Sequence, residues 1–248
     1  MPRELTMASR LINDDEPCYV VAELGANHGG SVETAQALIR AAAKAGASAV
    51  KFAKRHNETL YASSVLDQSY EHDWSFGPTY GAHRAALELD AEAYRVCQLT
   101  AAANQIALFA TAFDERSADF LVDLNVPAIK IHSGGVTDLA LLRYVGALRS
   151  PVILSTGAGT LNDIEIAVDA LGTCPHAILH CTASYPLKPD EANLRMIGTL
   201  RKLFPKTVIG WSSHHTGIAL SLVAYALGAR IIEQHFTLDR ASKGTDHS

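Results

Sequence analysis

The chain has 248 residues, of which 48% are hydrophobic and 19% are charged, and its formal net charge is −5 at pH 7. This length can bury one sizeable core, and the composition is typical of a soluble globular domain. The mild acidity argues against nucleic-acid binding, and no apolar run is long enough to span a membrane. The four cysteines show no paired spacing, so we expect reduced thiols in a cytoplasmic protein.

Short apolar runs alternate with helical patterns along most of the chain. Eight strands are predicted, over residues 19–23, 49–52, 106–111, 128–131, 152–155, 177–180, 208–211 and 231–236. Seven helices are predicted between them, near residues 32–45, 91–103, 115–124, 138–147, 161–171, 191–203 and 217–227. Residues 54–90 show no strong periodicity, and a loop of that length inside a compact domain is usually functional.

This alternation predicts a (β/α)8 TIM barrel that forms a single domain over residues 1–248. An eighth helix is missing from the pattern, because the chain stops twelve residues after Phe236. A barrel strand without its helix leaves one flank uncovered. We expect a neighbouring subunit or the N-terminal segment to cover that flank, unless the chain is shortened.

Polar or ionisable side chains follow the apolar part of every predicted strand, at the end where such barrels hold their active sites. Any one of these residues is also explained as the start of a loop. Lys51 and Lys130 are harder to explain that way, because a buried lysine needs an anion beside it. Together with neighbouring hydroxyls and glycine-rich turns, the two lysines suit a small ligand that carries both a phosphate and a carboxylate.

His214 follows one predicted strand, and His235 lies near the carboxyl end of the next, with one helix-sized segment between the two strands. Neighbouring parallel strands lie roughly 5 Å apart, so these imidazoles are candidate ligands of one divalent metal ion. Glu233 shares a strand face with His235. It is predicted either to support the metal site or to pair with a lysine inside the barrel.

The chain resembles the sialic acid synthase family in a series of motifs that occur in the family's order and cover nearly the whole predicted barrel. The matching stretches are AELGANHGG (22–30), KFAK (51–54), SFGPTYGAHRAALEL (75–89), KIHSGG (130–135), ILSTGAGT (153–160), HCTASYPLKPDEANLR (180–195), GWSSHHTGIA (210–219), IEQHFTLD (232–239) and KGTDHS (243–248). Several of these stretches are long and therefore specific. SFGPTYGAHR and YPLKP resemble the animal-type synthases in particular.

The resemblance implies a transferase that condenses phosphoenolpyruvate with an amino sugar or a related aldose. The product would be a sialic-acid-like 2-keto-3-deoxy acid, and phosphate would be released. A divalent metal, Mn2+ ahead of Mg2+ or Co2+, would be held by His214 and His235. The other candidate site residues are Glu23, Lys51 and Lys130 for catalysis, and Thr111, Ser133, Ser155, Ser184, Tyr185, Ser212 and Asp246 for substrate binding. We expect a homodimer.

The acceptor side departs from the family's pattern. Ala53 stands where the family usually has a glutamine that touches the sugar, and Gly135 stands where it usually has an acidic residue. The small C-terminal antifreeze-like domain of the family is also missing from the chain. We therefore expect an acceptor other than N-acetylmannosamine, or weak binding of that sugar. Two alternatives stay open: a related synthase with a different aldehyde acceptor, and an inert barrel that serves as a binding subunit.

Overall fold

The computed structural model describes residues 2–247, apart from the side chain of Thr245. Within that range, eight parallel strands close into a barrel and hydrogen-bond in chain order, with the last beside the first. The predicted (β/α)8 fold class is therefore confirmed. A separate antiparallel pair, β1 (Glu4–Met7) and β2 (Arg10–Asn13), precedes the barrel strands, which are β3 (Tyr19–Gly25), β4 (Ala49–Lys54), β5 (Ala107–Ala112), β6 (Ile129–Ile131), β7 (Val152–Ser155), β8 (His176–His180), β9 (Val208–Ser213) and β10 (Ile231–His235).

Helices occupy the connections between barrel strands. They are α1 (Val32–Lys44), α2 (Asn57–Leu60), α3 (Ser63–Leu66), α4 (Tyr80–Ala86), α5 (Ala91–Ala103), α6 (Glu115–Asp123), α7 (Leu139–Ala147), α8 (Leu161–Leu171), α9 (Arg195–Leu203) and α10 (Ala219–Ala226). Ser31 caps the start of α1, because its hydroxyl accepts the N–H of Thr34 at 3.1 Å. The predicted start of α9 is wrong, since Pro189–Glu191 forms a separate 3-10 turn. In residues 2–247, every helix is too short or too polar to cross a bilayer.

The chain divides into two compact units. The first unit comprises Met1–Val21 and Pro127–Gln234, and the second unit comprises Ala22–Val126 and His235–Ser248. Each unit has its own fully buried apolar side chains, among them Leu154 and Ile178 in the first and Phe52 and Phe109 in the second. The single domain over residues 1–248 stays a prediction.

The hairpin β1–β2 is absent from the predicted elements. Its turn residues Ala8 and Ser9 have positive φ angles of 48° and 64°, so the turn lacks the asparagine or glycine that usually marks such hairpins. Asp14 lies just after the hairpin. Its Oδ2 is 2.8 Å from Arg3 Nη1, and its Oδ1 is 2.9 Å from Arg201 Nη1. The hydrogen bond from Arg201 is the main cause that lowers the pKa of Asp14. These ion pairs hold the hairpin against the rest of the first unit.

Residues 54–90 are more ordered than the sequence predicts. They contain α2, α3 and α4, and the backbone N–H groups of Tyr70 and Tyr80 bond to Pro78 and Gln68 across an isolated antiparallel bridge. The expectation of a segment without regular structure was therefore wrong. Short turns of helix with few apolar positions give no sequence periodicity to detect.

Gly210 on β9 occupies a position with no room for a side chain. An added Cβ would overlap Leu179 Cδ2 and would lie 2.6 Å from the carbonyl oxygen of Ile231. We predict that Gly210→Ala lowers the free energy of unfolding by about 3 kcal/mol, because overpacking forces neighbouring groups apart. Urea unfolding measures the change.

Gly198 on α9 provides the matched control, because nothing lies within 4 Å of a Cβ added there. Gly198→Ala is expected to stabilise the protein by about 0.5–1 kcal/mol, since alanine is the better helix former. Equal unfolding midpoints for the two variants would contradict the packing argument.

Candidate active site

The second unit places Glu23, Lys51 and Thr111 together on the neighbouring strands β3, β4 and β5. Lys51 Nζ lies 2.7 Å from Glu23 Oε2 and donates a hydrogen bond to Thr111 Oγ1 at 3.0 Å. All three residues are buried. The charged lysine is therefore held by a carboxylate and a hydroxyl, and the three side chains act as one polar group.

The first unit contains a second group of this kind around Lys130. Its Nζ donates to Ser155 Oγ at 2.7 Å and to Glu233 Oε1 at 3.2 Å. The hydroxyl of Ser212 also donates to Glu233 Oε1, at 2.9 Å. Of the two roles predicted for Glu233, the structure supports the ion pair with a lysine.

Each of the two buried lysines therefore has a carboxylate of the protein as its partner. The sequence suggested that an external anion would lie beside them, but Glu23 and Glu233 take that place. Each pair has a formal charge of zero. An anionic ligand must then compete with a carboxylate for the ammonium group, or draw on neutral hydroxyl and N–H donors as well.

Backbone donors are available beside Ser133 in the first unit. Gly157 N–H donates to Ser133 Oγ at 3.0 Å, and a Cβ on Gly157 would lie 3.0 Å from both that oxygen and Ala183 N. A side chain at position 157 would push these groups apart. Cys181 is buried in the same region, because its carbonyl carbon would lie 3.2 Å from a Cβ on Gly157. Burial raises the pKa of its thiol. A hydrogen bond with Ser133 and the positive charge of Lys130 lower that pKa in part.

Two predicted site residues, Ser184 and Tyr185, lie on the loop after β8 and contact other residues than those around Lys130. Ser184 Oγ donates to Glu191 Oε2 at 3.0 Å. The ring of Tyr185 is half exposed and packs against His214, with ring centroids 4.6 Å apart. Tyr185 is thus placed beside a predicted metal ligand, whereas the Ser184 hydroxyl is engaged within its own loop.

The two predicted metal ligands belong to different units. His214 follows β9 in the first unit, and His235 ends β10 and belongs to the second unit. Across the part of the chain that the structure describes, no three His, Cys, Asp or Glu side chains are grouped as a metal site. Two imidazoles fit a divalent cation whose remaining ligands are water and substrate. The metal site stays a prediction.

Asn27 is a site residue that the sequence did not single out. Its side-chain N–H2 donates to the carbonyl oxygens of Phe236 at 3.0 Å and Asp246 at 3.2 Å, which ties down the C-terminal segment. Gly25 has a φ of +49°, and a Cβ there would lie 2.7 Å from Asp246 Oδ2 and 3.1 Å from Glu23 Oε1. The absence of a side chain at Gly25 lets these two carboxylates come near each other.

The chain also matches a known protein family. The family model described as the NeuB family matches residues 38–248 of the chain. The chain belongs to the NeuB family. This confirms the resemblance to the sialic acid synthases.

Named relatives agree with this membership. The chain is 42% identical to an N-acetylneuraminate-9-phosphate synthase of Drosophila melanogaster, over 92% of this chain and 62% of that protein. It is 38% identical to the human protein of that name, over 100% of this chain and 70% of its relative. A solved N-acetylneuraminic acid synthetase of Leptospira borgpetersenii, in complex with citrate, superposes with a TM-score of 0.87 at 32% identity, and covers 100% of this chain and 82% of that one. The chain thus spans about two thirds of the length of these curated relatives.

The pair of Lys130 and Glu233 gives a stability prediction. Glu233→Ala should lower the free energy of unfolding by about 3–5 kcal/mol, because the lysine then stays buried without its carboxylate. The double variant Lys130→Met/Glu233→Leu should recover most of this loss, since it removes both charges at similar volume. Urea unfolding measures both changes.

Glu165→Ala is the control, because Glu165 is exposed on α8 and its removal should change stability by no more than about 0.5 kcal/mol. If the double variant is as unstable as Glu233→Ala, the buried charge is not the cause of the loss.

His28 gives a prediction about pH. Its ring is buried edge-on against Phe52, with centroids 5.3 Å apart, and burial lowers the pKa of His28 to about 4. The folded pKa lies below the unfolded value of about 6.5, so the neutral ring contributes stability above that pH. This contribution, about 3 kcal/mol, is lost as the pH falls from about 6.5 to about 4.

Unfolding free energies of the parent and His28→Gln between pH 7 and pH 4 test this, because the variant should lose stability less steeply. His72→Gln, at an exposed histidine, should keep the parent's slope. Parallel curves for the parent and His28→Gln would show that His28 is not the titrating group.

Proposed function

We propose that this chain is the barrel of an enzyme that condenses phosphoenolpyruvate with an amino sugar or a related aldose. The product is a sialic-acid-like 2-keto-3-deoxy acid, and inorganic phosphate is released. The observation that carries the proposal is the presence of two buried lysine–glutamate pairs on barrel strands, in a chain of the NeuB family. Relatives named as sialic, legionaminic and pseudaminic acid synthases support the class of product.

The charges of the substrate suit these groups. Phosphoenolpyruvate carries a carboxylate and a phosphate, and each can take hydrogen bonds from an ammonium group and neighbouring hydroxyls. Lys51 with Thr111, and Lys130 with Ser155, are the donors that we assign to it. Ser133 and Ser212 add further hydroxyls. Glu23 and Glu233 keep the lysines charged and in place before the substrate arrives.

The proposed reaction forms one carbon–carbon bond and breaks one carbon–oxygen bond. The enol carbon of phosphoenolpyruvate forms a bond to the aldehyde carbon of the sugar, and a water adds to the carbon that bears the phosphate. The C–O bond to phosphate then breaks, which leaves the keto group and releases inorganic phosphate. We assign Glu23 to proton transfer, or to stabilisation of the positive charge that develops at the phosphate-bearing carbon.

The proposal also includes a divalent metal ion, a dimeric assembly and a cytoplasmic location for the protein. His214 and His235 would hold a divalent cation, Mn2+ ahead of Mg2+ or Co2+, which as a Lewis acid would polarise the aldehyde oxygen. Tyr185 and Asp246 are assigned to the sugar. We propose a homodimer in the cytoplasm.

The lysine group allows a test in which folding and function are separated. The Lys130→Met/Glu233→Leu variant is expected to fold, and it should lose at least about 100-fold in phosphate release from phosphoenolpyruvate, because a charged donor to the substrate is gone. Phosphate release is measured with Mn2+ and a panel of amino sugars and aldoses. Lys202→Met, at an exposed lysine on α9, should behave as the parent.

Calorimetry with phosphoenolpyruvate and Mn2+ addresses the inert alternative. Heat of binding for both ligands, together with turnover of one acceptor, supports the synthase. If the parent protein binds neither ligand, the barrel is a binding subunit without this chemistry.

A further inference from the structure

Three arginines of the first unit converge on a single carboxylate. Arg3 precedes β1, Asp14 follows β2, Arg201 lies in the last turn of α9, and Arg230 precedes β10. Asp14 Oδ2 accepts a hydrogen bond from Arg3 Nη1 at 2.8 Å. The two oxygens of Asp14 also accept from Nη1 and Nη2 of Arg201, at 2.9 Å and 3.0 Å. Arg230 Nε lies 3.5 Å from Asp14 Oδ1. We call these four residues the Asp14 cluster.

The Asp14 cluster has fewer anions than cations. Three guanidinium groups against one carboxylate leave an excess of two positive charges. Within residues 2–247, Asp14 is the only carboxylate at ion-pair distance from Arg3, Arg201 or Arg230. The arginine side chains are largely withdrawn from water, since only 11%, 24% and 17% of their surfaces are exposed. Like charges that are poorly hydrated are costly without a further anion.

Two N–H groups of the cluster lack an acceptor. Arg3 Nε and Arg230 Nε are buried, and neither has a hydrogen-bond partner in the part of the chain that the structure describes. Arg230 Nη1 reaches the carbonyl oxygen of the preceding residue at 3.5 Å, which is long for a hydrogen bond. Arg201, by contrast, also donates to the carbonyl oxygen of Gly228 at 2.8 Å. Buried donors such as the two Nε groups point to a missing acceptor.

The Asp14 cluster lies at the amino-terminal end of barrel strands. Arg230 immediately precedes β10, and Arg201 lies near the end of the helix that leads into β9. Enzymes with this fold hold their active sites at the carboxyl ends of the strands, so the cluster belongs to the opposite end. Asp14 keeps 37% of its side chain exposed, and a small ligand can therefore approach the cluster from solvent.

We propose that the Asp14 cluster is a binding site for a small dianion of the phosphate class, either inorganic phosphate or a phosphomonoester. Two negative charges balance the excess of the three arginines, and phosphate oxygens accept the hydrogen bonds that the two Nε groups lack. Because Arg3 and Asp14 flank the hairpin β1–β2, the bound anion also fastens the hairpin to α9 and β10. The site is independent of the proposed function, since none of its residues takes part in the condensation.

Calorimetry with inorganic phosphate near pH 8, where phosphate is mostly a dianion, tests this site. Arg230→Gln should raise Kd on the order of 10- to 100-fold, because a charged donor is lost. Arg143→Gln, at an exposed arginine on α7, is the control and should match the parent. Lys130→Met/Glu233→Leu should keep this binding, because it removes only a donor assigned to phosphoenolpyruvate. Equal Kd values for the parent and Arg230→Gln, or loss of all phosphate binding in Lys130→Met/Glu233→Leu, overturn the site.

Asp14→Asn changes the charge in the opposite direction and decides the question if Arg230→Gln does not fold. The variant leaves three cations without a carboxylate, so phosphate should bind to it about 10-fold more tightly than to the parent. Phosphate should then raise the Tm of Asp14→Asn more than that of the parent. Sodium chloride at equal ionic strength is the control. A rise in Tm that is equal in the two proteins, or that chloride reproduces, shows that the cluster only holds the hairpin and overturns the site.

Glycerol 3-phosphate distinguishes the two sources of the phosphate group. A Kd within about 3-fold of that for inorganic phosphate assigns the site to phosphomonoesters. Binding of inorganic phosphate alone assigns it to the free anion. Either result supports the site when Arg230→Gln weakens the binding, and failure of the parent to bind both compounds overturns it.

Discussion

A lysine can enter the interior of this barrel only if a carboxylate comes with it, and this constraint shapes the candidate site. Transfer of an unpaired ammonium group from water into a protein interior costs far more than a domain can tolerate. Lys51 therefore pairs with Glu23 from the next strand, and Lys130 pairs with Glu233. In the strand order, β6 and β10 are not neighbours, so the second pair reaches across the barrel interior. The same contacts that permit the charges also fix where they lie.

This pairing has a consequence for any ligand. A site of bare lysines would attract every small anion, but a site of neutral ion pairs binds only a ligand that offers a better arrangement of acceptors. Within each unit an anionic group finds an ammonium group with hydroxyls near it, Thr111 at Lys51, and Ser155 and Ser212 at the pair of Lys130 and Glu233. Specificity then comes from the fixed spacing between the donors within each of these two groups rather than from net charge.

The sequence predicted the parts of the molecule that follow a strong periodicity. The alternation of apolar strands and amphipathic helices was enough for the barrel and for seven of its helices within residues 2–247. The hairpin β1–β2 was not predicted, because Ala8 and Ser9 are not residues that usually mark a hairpin turn. Lys51 and Lys130 were found because charge in an apolar strand is unusual. Glu233 was predicted to pair with a lysine or to support the metal site, but the sequence did not show that its partner is Lys130, because the two residues are separated by 103 positions.

The barrel strands and the segments that connect them differ in how much change they tolerate. Five of the groups assigned to phosphoenolpyruvate lie on strands, namely Lys51, Thr111, Lys130, Ser155 and Ser212. Strand hydrogen bonds hold side chains at fixed spacing, as in the register that pairs Lys51 with Phe109 and Lys130 with Ile153. Residues 55–90 connect two barrel strands, and connecting segments tolerate insertion and substitution better than strands do. Relatives named for different sugar acids share this family with the chain. Related products are the outcome expected of a family in which strands carry the groups of the common reaction while the connecting segments vary from one member to another.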